Sequence, residues 1–77
     1  MEMYSDKYGR AFERLLTCYD LIVVQKKSLS KSYLSELLNV SKRTINNYVF
    51  IINAFLADSY QMKEVVNKNG LYRLEEY

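Results

Sequence analysis

The sequence predicts a mainly α fold: three helices closed by a C-terminal β-hairpin. Three observations carry this reading. Apolar residues recur at helical spacing over residues 5–27 and again over 42–57. Two serines, Ser30 and Ser41, stand where helix caps are needed, and Asn39 lies between them. Asn69-Gly70, the strongest short-range hairpin dipeptide, separates two short apolar runs near the C-terminus.

The first helix is expected over residues 5–27. Tyr8, Phe12, Leu15, Leu16, Tyr19, Ile22 and Val23 fall on one face. Ser5 is the expected N-cap, and Asp6 suits the positive end of the helix dipole. Lys26 and Lys27 suit the negative end. Leu21 projects about 180° from Phe12 on a helical wheel. It is either a lone exposed leucine or a contact for a second copy or a partner.

The second helix is expected over residues 31–38. Ser30 caps it, Leu29 staples onto Leu34, and Leu34, Leu37 and Leu38 make the buried edge. Asn39 ends it because asparagine tolerates the left-handed conformation better than other non-glycine residues. Ser41 caps the third helix, expected over residues 42–57. Ile45, Tyr48, Val49, Ile52, Phe55 and Leu56 share its inner face. Arg43, Asn47 and Ala54 lie opposite, flanked by Asn46 and Phe50. A hairpin is expected over residues 61–75, and it must pack on the helices to be stable.

The 77 residues allow one domain, residues 1–77, with one small core. The 49% hydrophobic content excludes a disordered chain. No apolar run approaches the roughly 20 residues of a membrane helix, and residues 1–10 lack a signal-peptide apolar region. Cys18 is the only cysteine, which excludes an internal disulfide and suits a reducing cytoplasm. Histidine is absent, so the usual zinc sites are excluded and no cofactor is implied. No paired carboxylates stand with a base, the glycines form no phosphate loop, and Cys18 has no visible activator. An enzyme is therefore not expected. The formal net charge of +2 is only weakly basic, so a nucleic-acid reading must rest on where the charges lie.

Residues 30–45 meet the needs of a helix-turn-helix. Ser35 is small where two helices must approach, Asn39 accepts the turn, Val40 locks the angle, and Ser41 starts a helix whose first turns are polar. With the hairpin following, the order is that of a three-helix winged helix-turn-helix. The run LSELLNVSKRTINNYVFIINAFL then resembles the first DNA-binding segment of Mga-like bacterial regulators and the related phosphotransferase-controlled activators. DeoR-type repressors are more distant. The likeness lies in Leu34, Leu38, Val40, Ser41, Arg43, Thr44, Ile45, Asn53 and Leu56, with residues 69–74 resembling the wing. Ser35 and Asn39 stand where those regulators usually carry alanine and glycine, and their large regulatory domains have no counterpart here.

The resemblance implies sequence-specific binding of double-stranded DNA by a transcription regulator, bacterial or phage, with the third helix in the major groove. Arg43, Asn46, Asn47 and Thr44 become the candidate base contacts. Ser41, Lys42, Lys31, Ser32 and Lys68 become the candidate phosphate contacts. Single modules bury little DNA surface, so a homodimer on a repeated site is expected, with Leu21 or exposed tyrosines at its interface. The other reading is a small stand-alone protein that binds a protein partner. Phe50 and the acidic Glu75-Glu76 favour it. Phe50 itself packs under the hairpin or second helix, touches a thymine methyl, or marks that partner surface.

Overall fold

The computed structural model describes residues 9–77. The expected cap at Ser5, with Asp6 and Tyr8, lies outside them. Three helices and a three-stranded antiparallel sheet make up the described chain. Helix α1 spans Arg10–Tyr19 and widens into a π turn over Asp20–Val24. A two-residue strand β1, Leu29–Ser30, leads into α2, Lys31–Leu38, and a tight turn leads to α3, Lys42–Asp58. Strands β2, Lys63–Lys68, and β3, Leu71–Glu76, complete the sheet in the order β1-β3-β2. No helix among the described residues is long and apolar enough to cross a membrane.

The first helix ends earlier than the hydrophobic pattern suggests. At Asp20–Val24 the ladder widens, and Gln25 N–H donates to the Asp20 carbonyl at 2.8 Å, five residues back. Lys26 then takes a φ of 58°, which stops the helix. Its ammonium lies 3.3 Å from the Glu76 carboxylate instead of interacting with the helix end alone.

The buried face of α1 follows the expected stripe at Leu15, Tyr19, Ile22 and Val23 and departs from it at Phe12 and Leu16. Cys18, Ile22 and Val23 are buried, while Phe12 and Leu16 are exposed. Leu21, expected on the outer face, is half-buried and packs against the core. Leu37 on α2 and Phe55 on α3, both expected inside, are likewise exposed. Ile22, Leu34, Ile45, Leu56 and Cys18 are the most enclosed side chains.

Burial pushes the Cys18 thiol up to about 11 from its ordinary 9.0. The folded pKa lies above the unfolded one. The thiol's contribution is therefore fully present below pH 9.0 and is lost as pH rises through about 11. Ellman's reagent should modify Cys18 in the native protein at least about a hundredfold more slowly than in urea. Equal rates would place the thiol at the surface.

The helix ends follow local chemistry. The Ser30 hydroxyl accepts from Tyr33 N–H at 3.0 Å, and the Ser41 hydroxyl accepts from Thr44 N–H at 3.1 Å. Asn39 is left-handed, with φ 57° and ψ 50°. Val40 N–H returns to the Ser35 carbonyl at 3.0 Å, and the Ser35 hydroxyl donates to the Val40 carbonyl. Ser35 thus does more than leave room. It clamps the turn that sets the angle between α2 and α3.

In the hairpin, Lys68 pairs with Leu71, so Asn69 and Gly70 alone make the turn. Their φ values of 55° and 80° are those of a type I′ turn. Asn53 on α3 fastens β2 with two hydrogen bonds. Its amide donates to the Val65 carbonyl at 3.0 Å, and its oxygen accepts Val65 N–H at 2.7 Å. Strand β1 pairs Leu29 with Tyr72 and Ser30 with Leu71.

Candidate nucleic-acid interface

Three segments converge on Tyr72, which is buried at the turn end of the hairpin. Its backbone pairs with Leu29, just before α2. Its hydroxyl donates to Asn46 Oδ1 on α3, at 2.5 Å. Lys31 Nζ sits 6.0 Å from its ring centroid, a cation–π distance. The start of α2, the early turns of α3 and the hairpin turn therefore share one end of the molecule. Tyr72 falls in the returning strand of the expected hairpin, where the sequence assigns it no further role. Its two partners lie far away along the chain, and no local pattern links them.

The first turns of α3 supply the polar surface at this end. Lys42, Arg43 and Asn47 are exposed. Neither Lys42 nor Arg43 has a carboxylate partner among the described residues. No acidic residue occupies the first turn of α3, and Asp58 is the only one in the helix. Ser41 and Thr44 are committed to the cap, their hydroxyl oxygens 3.0 Å apart, with Thr44 half-buried. Peptide N–H groups at a capped helix start favour negative charge nearby.

The remaining candidate residues are placed differently. Asn46 is exposed, but its amide oxygen is taken by Tyr72. Bidentate adenine recognition uses both ends of an amide, so Asn47 is the better presented of the two. Lys31 is half-buried with its head near Tyr72, and Ser32 is exposed one residue further on. Lys68 is held 3.0 Å from Glu75, so its charge is partly offset within the hairpin. Phe50 is 76% exposed and packs under neither the hairpin nor α2. Leu21 is half-buried and packs against the edge of the core.

A second surface is apolar. Phe12, Leu16 and Tyr19 from α1 face Ile51 and Phe55 from α3 across a groove of about 390 Å³. Tyr19 and Phe55 meet edge to face at 5.9 Å and 77° on its floor. Among the described residues, no group of His, Cys, Asp and Glu side chains is arranged to hold a metal ion. Comparison with protein-family models, with curated proteins and with solved structures finds no match to this chain.

Proposed function

We propose that this chain is a winged helix-turn-helix module that binds double-stranded DNA, with α3 as the recognition helix and the β2–β3 hairpin as the wing. One observation carries the reading. The early turns of α3 present Lys42, Arg43 and Asn47 to solvent, without carboxylate partners among the described residues, beside both the hairpin turn and the start of α2. A helix with that exposed end is of the size the major groove admits.

In this reading Arg43 reads a guanine edge and Asn47 an adenine edge. Lys42 and the peptide N–H groups at the α3 start hold phosphates. Ser32 and Lys31 lie at the start of α2, where a second phosphate would be met. Asn46 and Tyr72 act from behind, fixing the hairpin against α3. Of the contacts suggested for a homodimer, Leu21 packs against the core, while Tyr33, Tyr60 and Tyr77 are exposed.

The test is fluorescence anisotropy of random-sequence duplex DNA titrated with the protein at several salt concentrations. Micromolar binding that weakens steeply with salt is the expected result. Absence of binding at low salt would overturn the proposal.

A further inference from the structure

Phe50 stands midway along the 17-residue α3 and is 76% exposed, the most open of the three phenylalanines. Its place on the helix is specific. It comes two turns after Arg43 and within about 20° of the same direction. It also follows Asn46 and Asn47 at the spacings of four and three that put side chains next to each other. Ile45 and Ile52, on the other side of the helix, are buried. Phe50 therefore belongs to the row of α3 that holds the candidate base contacts, and it is the one large apolar side chain in that row.

The surroundings decide what such a side chain meets. The residues three and four positions away on α3 are Asn46, Asn47, Asn53 and Ala54, none of them a large apolar group. Ile51, next in the chain, turns into the groove beside α1, which Phe50 does not line. A protein-docking patch gathers several large apolar residues, and one phenylalanine among amides is not such a patch. The major groove offers a match for a single one. Its floor is a pattern of hydrogen-bonding groups broken by the 5-methyl group of thymine, and phenylalanine is among the side chains that contact that methyl.

We infer that Phe50 reads the methyl group of a thymine, and so sets specificity at a base pair that Arg43 does not touch. The inference rests on the proposed role of α3 in the major groove. The helix rises about 10 Å between the two residues, roughly three base-pair steps. With α3 lying along the groove, Arg43 and Phe50 address different base pairs. One does so by hydrogen bonds, the other by taking a methyl group out of water. Removing that methyl gives up the burial of one carbon, worth about fourfold in affinity.

The test begins by selecting the preferred duplex from a random pool with the whole chain. Each thymidine of that duplex is then replaced in turn by deoxyuridine, which keeps the base pair and lacks the methyl. Fluorescence anisotropy should show one replacement that weakens binding about fourfold. F50A should bind the thymine duplex about fourfold more weakly, and the same replacement should cost it nothing further. R43A should still lose about fourfold on that replacement. Thermal melts confirm that F50A folds, as the exposure of Phe50 leads one to expect. Three results overturn the inference and leave DNA binding by α3 in place: a preferred site without thymine, uracil tolerated at every position, or a uracil penalty that persists in F50A. F50A binding both duplexes as tightly as the unmodified chain also overturns it, and leaves Phe50 to a protein partner. If no duplex is bound even at low salt, the DNA reading itself fails and this inference falls with it.

Discussion

Replacing Ile45 with alanine is expected to cost about 2–5 kcal/mol. The residue is fully buried in the cluster that joins α2 to α3, together with Leu34, Leu38 and Val49. It lies one turn after the Ser41 cap, where the angle between the two helices is set. Truncation removes apolar surface and leaves a cavity that two fixed helices cannot close. Small domains hold only about 5–15 kcal/mol in total, so this loss is a large fraction. Urea and thermal melts followed by circular dichroism should show Tm falling by roughly 10–30 °C. Phe50→Ala, made on the exposed side of the same helix, should change stability by no more than about 0.5 kcal/mol. Near-equal melts for the two variants would mean that the buried face of α3 has been assigned to the wrong side.

That contrast also shows which parts of the structure can be read from the sequence. Ser30, Asn39, Ser41 and Asn69-Gly70 act within a few residues of themselves, through a cap bond or a positive φ. Their chemistry is visible in any short window, and the element boundaries around them follow. The faces of the helices are less legible. The period along α1 is helical, but bulk is a poor guide to its phase. Phe12 and Leu16 are the large residues, yet the small Cys18 is the one enclosed. The π turn at Asp20–Val24, which closes the helix, carries no marker such as proline or glycine. Strand β1 is two residues long, too short to show alternation, and its partners Leu71 and Tyr72 lie in the last strand.

The candidate site divides in the same way. Lys42, Arg43 and Asn47 are exposed because helical periodicity and the Ser41 cap put them there, and both are local facts. The hydrogen bond from Tyr72 to Asn46 and the pair from Asn53 to Val65 are long-range, so composition and spacing are silent on them. They alter the site nonetheless. Asn46 braces the hairpin through its amide oxygen, and Asn53 holds the other strand in place.

For the DNA-binding role proposed for α3, the other large expected effect separates Arg43 from its neighbour Lys42. On a duplex carrying the preferred site, Arg43→Ala should cost about 1–3 kcal/mol and relax the preference at one base pair. A guanidinium that donates to two atoms of guanine has no substitute in alanine, and water can replace it equally well at every base. Lys42→Ala should instead weaken binding to all sequences alike. It should also lower the slope of log K against log salt by about one, because one phosphate contact and its released counterion are gone. Neither change should disturb folding, since both side chains are exposed and neither has an ion-pair partner among the described residues. The two variants therefore differ in kind as well as in size. One changes which sequence is preferred, and the other changes how salt acts on every sequence. If both bind the preferred duplex as the unmodified chain does, α3 does not enter the groove by its first turns, and the recognition surface must be sought elsewhere on the molecule.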